Sequence, residues 1–168
     1  MMTEYAQKES RLKNALTLCK CNQGVKHPDY ITSINNLACF YLFHDKLEQA
    51  EQLFKKVVVL RNRIQGKNHP DYADSLCWLA HTRSLLHKYD NARILFHRAI
   101  YLCKQVNGKK HSAYAAKLFR LALFYGDEGK YVKAKVLLTR ALRISKQTLG
   151  LEHCDTIAIS NALYMLPL

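Results

Sequence analysis

Two runs of apolar residues follow one another between positions 31 and 60. Ile31, Ile34, Leu37, Ala38 and Tyr41 stand at i, i+3, i+6, i+7 and i+10. Leu47, Ala50, Leu53, Phe54, Val57 and Leu60 continue in the same manner. Both runs have the 3.6-residue period of an amphipathic helix. The Phe43-His44-Asp45-Lys46 stretch between them is too short for anything but a turn, so it predicts an antiparallel helix pair. The two helices are called A and B below.

The pair recurs. Gly24-Val-Lys-His27-Pro28-Asp29, Gly66-Lys-Asn-His69-Pro70-Asp71, Gly108-Lys-Lys-His111-Ser112-Ala113 and Gly150-Leu-Glu-His153-Cys154-Asp155 align without a gap at steps of 42 residues. In the same register stand Leu37, Leu79, Leu121 and Leu163, then Ala38, Ala80 and Ala122, Ala50, Ala92 and Ala134, and Leu53, Leu95 and Leu137. Leu47, Tyr89 and Tyr131 precede the second alanine column by three. Small residues at fixed positions let helices approach closely, and large ones fill the gaps beside them. A repeat of fixed length signals a solenoid of stacked units. Glycine after helix B suits the left-handed residue that closes a helix. Proline and aspartate after the histidine suit the first turn of the next one. The third unit lacks both and the fourth lacks the proline, so those two helix starts are expected to be less sharply fixed.

The register is offset by half a unit. Residues 1–23 match a helix B, with Tyr5 in the Leu47 column. Residues 24–65, 66–107 and 108–149 are whole units, and 150–168 give a final helix A. The expectation is one all-α domain of about eight helices over 1–168, in the order B, AB three times, A.

Composition narrows the class. Apolar residues make up 49% of the 168, enough to bury a core, and 6 Gly and 3 Pro speak against a turn-rich β fold. The first twenty residues lack the apolar core of a secretory signal, and no apolar run approaches a membrane span. The six cysteines form no C-x-x-C pair, and most lie in apolar periodic segments, as free thiols in a cytoplasmic protein would.

The G-x-x-H-P-D turn, the Asn35-Asn36-Leu37-Ala38 run, Tyr41, Glu48-Gln49-Ala50-Glu51 and Leu60 together resemble the 42-residue tetratricopeptide repeat of the kinesin light chain type. The likeness covers nearly the whole chain. It implies a right-handed helical solenoid whose A helices line a concave groove, and a non-catalytic scaffold that binds a peptide or helix of a partner protein there. In kinesin light chains the first Asn of the Asn-Asn-Leu-Ala run helps bind acidic, tryptophan-containing peptides. Asn35 and Asn161 match it here, with Cys77 and Phe119 at the equivalent positions of the middle units. On this reading the groove presents Asn35, Cys39, Phe43, Asp74, Cys77, His81, Phe119 and Asn161, with Trp78, Lys117 and Arg120 on its flank.

The charge is uneven. Of the formal net +13, the A segments contribute −4, the B segments +14 and the turns +3. The excess lies on the B helices, by resemblance the convex side, and Lys133, Lys135, Arg140, Arg143 and Lys146 are its densest group. A second reading therefore has this face binding an acidic protein, an acidic membrane surface or nucleic acid. A third reading is self-association, as a homodimer, through the last helix. Leu163, Tyr164, Leu166 and Leu168 there have no helix B to cover them, unless the array continues in a longer chain.

Catalysis and metal binding find little support. The four periodic histidines stand on separate turns, a packed-helix spacing of roughly 8–10 Å or more apart, and so cannot meet on one ion. Cys77, His81 and Cys39 make three candidate ligands without a fourth. No nucleophile–base–orienter set, phosphate loop or carboxylate pair is recognisable. The expectation is no enzyme activity, no metal and no cofactor.

Overall fold

A computed structural model describes residues 4–167 of the chain. Residues 1–3 of the first half unit, and Leu168, lie outside the described residues. Among those described there are eight helices and no strand: α1 (Glu4–Gln23), α2 (Pro28–Phe43), α3 (Leu47–Ile64), α4 (Pro70–Leu85), α5 (Tyr89–Asn107), α6 (Ser112–Asp127), α7 (Tyr131–Leu149) and α8 (Cys154–Tyr164). Helices α2, α4, α6 and α8 are of type A, and α1, α3, α5 and α7 of type B. Each packs on the next in sequence, and in addition α4 touches α6 and α6 touches α8. The result is an all-α helical repeat solenoid with its A helices side by side.

The periodic histidines start the A helices. Nδ1 of His27, His69, His111 and His153 accepts a hydrogen bond from the backbone N–H two residues on, at 3.1–3.2 Å, satisfying one of the open donors of the first turn. The expectation of looser starts for α6 and α8 does not hold: both begin one residue after their histidine, as α2 and α4 do. The cap fixes the start, and proline and aspartate only add to it. The glycines at 24, 66, 108 and 150 all have φ between 83° and 89°, a backbone that side chains resist.

The turns between A and B carry a second left-handed column, invisible as a motif. Asp45, His87 and Gly129, again 42 apart, have φ of 56°, 57° and 71°. Three residue types adopt one backbone because the following amide must reach back: Lys46, Lys88 and Lys130 donate their N–H to the carbonyls of Tyr41, Arg83 and Tyr125 at 2.8–2.9 Å.

The core follows the columns. Ala50, Ala92 and Ala134 are buried, as are Phe54, Phe96 and Leu138, and Val57, Ala99 and Ala141. Truncating such a phenylalanine costs about 3–5 kcal/mol. Polar bridges tie unit to unit. Glu9 accepts from the Tyr41 hydroxyl at 2.8 Å, and one unit later Glu51 accepts from Arg83 at 3.0 Å and from Lys88 at 2.7 Å. Arg61 donates to the Asp71 carbonyl at 2.7 Å and to the Ser75 hydroxyl at 2.8 Å. Further along, the Ser145 and Thr156 hydroxyls meet at 2.7 Å in a buried pair. Helix α1 is the least embedded: none of its described residues is buried, and Leu18 is 60% exposed.

Candidate functional site

The A helices place one stripe of side chains each on a common face. A cavity of about 380 Å³ lies there, lined mostly by A helices: Phe43 at the end of α2, Trp78 and His81 of α4, Ser112, Ala115, Ala116, Phe119, Arg120 and Leu123 of α6, and Asp155 and Ile159 of α8, with Ser145 and Leu149 of α7 at one end. Spacings of three and four residues within a helix bring these side chains to one side. Trp78 lies on this floor rather than on the flank where its sequence position suggests. Its ring stacks on Phe54 at 6.1 Å and 5°, and the Arg120 guanidinium lies 4.2 Å from its centre. That distance is within the range of a cation–π contact.

His81 adds a polar point. Its ring meets Trp78 edge-on at 6.5 Å, and its buried Nδ1 has no hydrogen-bond partner among the described residues. Burial, and then the charge of Arg120, push its pKa below the usual histidine value, while Asp127 opposes them. Burial in turn holds the Asp127 carboxyl above the usual carboxylate value. A smaller hollow of about 190 Å³ joins His81, Arg120, Leu123 and Asp127 beside the main cavity.

The expected groove residues divide. Phe43, His81, Phe119 and Arg120 come together around the cavity, with Phe43 74% exposed. Asp74 and Lys117 pair with each other, bridging α4 and α6, and the Lys117 side chain is largely buried. Asn35 and Cys39 lie outside the cavity lining on α2. The Asn35 amide donates to the Cys39 sulfur at 3.8 Å, and its buried Oδ1 has no partner among the described residues. Asn161 is exposed on α8.

Cys77 does not face the groove. It is 2% exposed, in a core cluster with Leu76, Ala80 and Phe96, and burial pushes its thiol pKa up to about 12. The reason is the direct packing of α6 on α4, which closes over the position that Asn35 holds at the freer end of the array.

The basic residues of α7 separate as well. All five are exposed. Lys133 lies 5.6 Å from the centre of the Tyr125 ring and Arg140 lies 5.4 Å from that of Tyr114, so both run along α6. Lys135 lines a cavity of about 540 Å³ with Tyr131, Val132, Leu163, Tyr164 and Leu166. Of the three residues expected to mediate self-association, Tyr164 is open, at 91%, and Leu163 and Leu166 are half-buried against the core.

Three possible metal donors, of His153, Cys154 and Asp155, lie within 4.8 Å of one another. The His153 Nδ1 is also the cap of α8, and the Cys154 and Asp155 side chains are exposed. Cys39, Cys77 and His81 form no such group among the described residues. No described helix is long and apolar enough to cross a membrane.

Comparison with known proteins matches this architecture. Two family models, both described as tetratricopeptide repeat, fit residues 31–71 and 71–147. No curated protein matches the chain in sequence. Among solved structures, a kinesin light chain-like protein of Podosopora anserina with nearly identical TPR-like repeats superposes with a TM-score of 0.74 at 21% identity, over 95% of this chain and 76% of that one. A point variant of that protein gives 0.75 at the same identity and coverage. BtubC (BKLC) from P. vanneervenii gives 0.80 at 17% identity, over 95% of this chain and 64% of that one. At such identities the likeness is one of fold, and together with the two family models over 31–147 it makes the chain a member of the tetratricopeptide repeat family, with repeats stacked as in kinesin light chain-type structures.

Proposed function

We propose that the protein is a scaffold without catalysis of its own, holding a peptide segment of a partner protein along its A-helix face. The observation that carries this reading is the 380 Å³ cavity, walled by Phe43, Trp78, Phe119 and Leu123 and edged by Arg120 and His81. Aromatic and aliphatic walls take an apolar anchor side chain, and a few polar groups fix its orientation. Arg120 offers donors for a carboxylate or backbone carbonyl, and the unpartnered His81 Nδ1 offers one more polar contact. The six free cysteines, two of them buried, support a reducing cytoplasmic setting.

The test is selection of peptides from a random displayed library by the whole chain. Selected peptides are expected to share one apolar residue and to lose at least tenfold in affinity against Phe119→Ala and Leu123→Ala. Neither substitution removes a residue from the buried core, since Phe119 is only half-buried and Leu123 is exposed. Peptides that bind both variants as well as the parent chain would exclude the cavity as the binding site.

A further inference from the structure

On the other side of the helix pair formed by α6 and α7, a second cavity of about 430 Å³ is lined by Lys109, Lys110, Arg140, Arg143, Ile144 and Gln147. Four of its six lining residues are cations and none is an acid. The two lysines come from the turn before α6, and the two arginines stand three residues apart on α7, on one face of the helix. Gln147 adds an amide, and the buried Ile144 gives an apolar base.

Nothing in the described structure neutralises this cluster. None of the four cations forms an ion pair among the described residues, whereas Glu51 alone meets Lys55, Arg83 and Lys88. Arg140 rests over the Tyr114 ring at 5.4 Å, a contact that leaves its charge uncompensated. Helix α7 contains five cations and no acid.

The repeat supplies an internal control, since the same place exists in each unit. One unit earlier the four positions are Lys67, Asn68, Arg98 and Tyr101, and two units earlier Val25, Lys26, Lys56 and Val59. Those units fold with two cations there, and each keeps an aspartate in the first turn of its A helix, Asp71 and Asp29. In the third unit that position is Ala113. The fold therefore does not require the four cations. Gathering them around one hollow without an acid opposes folding through mutual repulsion, and a bound anion relieves it.

We infer that this cavity is a binding site for a ligand bearing two neighbouring phosphate groups. Each phosphate monoester carries roughly −1.5 to −2 at pH 7, so two of them match four cations, where one carboxylate would leave most of the charge unbalanced. Arginine binds phosphate oxygens through two parallel N–H donors and lysine as a point charge. Arg140 and Arg143 supply the first kind of contact and Lys109 and Lys110 the second. The ligand is either a free sugar or inositol polyphosphate or the headgroup of a phosphoinositide in a membrane.

Both sources are testable on the whole chain. Titration calorimetry with inositol 1,4,5-trisphosphate probes the free form. Flotation with phosphatidylcholine vesicles containing phosphatidylinositol 4,5-bisphosphate, against vesicles brought to equal charge with phosphatidylserine, probes the lipid form. Binding of the trisphosphate is expected, and Arg143→Ala and the turn variant Lys109→Ala/Lys110→Ala should each weaken it at least about tenfold, as the loss of charge-assisted contacts does. Arg98→Ala, on the preceding unit, should leave it unchanged. Retention by phosphoinositide vesicles, but not by those with phosphatidylserine, assigns the lipid source; trisphosphate binding without vesicle retention assigns the free one. No trisphosphate binding at physiological salt, equal weakening by Arg98→Ala, or tighter binding of a polyglutamate peptide than of the trisphosphate each overturns the proposal.

Discussion

The guanidinium of Arg120 on α6 lies 4.2 Å from the centre of the Trp78 ring on α4, which joins two A helices across the floor of the groove. Trp78 is the only tryptophan of the chain, so its fluorescence reports on the surroundings of this one ring, which are Phe54, His81 and Arg120. Arg120→Ala is expected to lower stability by about 1 kcal/mol, the worth of a partly desolvated cation–π contact. It should also shift the tryptophan emission, while Arg98→Ala should leave both unchanged. Urea unfolding followed by fluorescence checks this, and an unaltered spectrum in Arg120→Ala would show that the contact does not persist in solution.

Glu51 sets the acid limit of the middle of the molecule. Burial works to raise its pKa, but hydrogen bonds from Lys88, Lys55 and Arg83 outweigh it and hold the carboxyl at about 2. A carboxyl depressed in the folded state stabilises it above the ordinary value near 4.5, and that contribution is lost as the pH falls from there towards 2. Glu51→Gln is expected to cost about 2–3 kcal/mol at pH 7, because it leaves cationic partners uncompensated. The difference from the parent chain should shrink between pH 4.5 and pH 2. Urea unfolding at a series of pH values measures it, and a difference independent of pH would refute the assignment.

Two glycines three residues apart are expected to respond in opposite directions to alanine. Gly126 lies inside α6, and a Cβ there meets nothing within 4 Å. Gly126→Ala should therefore stabilise by about 0.5–1 kcal/mol through the lower entropy of the unfolded chain. Gly129 has equal space but a φ of 71°, and Gly129→Ala should destabilise by about 1 kcal/mol. Thermal melts of the two variants decide, and a shift of the same sign in both would contradict the turn geometry.

The cysteines should label in two classes. Cys21 and Cys154 are exposed, whereas Cys77 is buried with its thiol pKa raised to about 12, leaving almost no thiolate at neutral pH. A maleimide at pH 7 is expected to modify Cys21 and Cys154 quickly and Cys77 only after unfolding. Peptide mass mapping reads out the order. Rapid labelling of Cys77 in the native protein would place it on the groove after all.

Much of this architecture is legible in the residue pattern because it is written in columns. The glycines at 24, 66, 108 and 150 and the histidines three further on mark every boundary between units. The A–B turn is harder to read, since Asp45, His87 and Gly129 share a backbone conformation without sharing chemistry. Facing is the weakest point at the site. Cys77 occupies the column of Asn35, but α6 covers α4 in a way that leaves Asn35 half-open. On α7, successive residues turn by roughly 100°, so Lys133 and Arg140 share a stripe and Lys135 points elsewhere. Adding up charge along the helix conceals that division. It also conceals the part played by Lys109 and Lys110, which belong to the turn.

Every polar bridge described above joins a helix only to a neighbouring unit: Glu9 to Tyr41, Glu51 to Arg83, Arg61 to Ser75, Ser145 to Thr156. The molecule is thus a chain of hinges in series, each with its own latch. Damage to one latch loosens one hinge and leaves those two units away at full strength. Amide exchange should consequently fall off from the ends towards α4 and α5 in steps of a helix pair, and a substitution at the α7–α8 latch should leave the exchange of α1 unchanged.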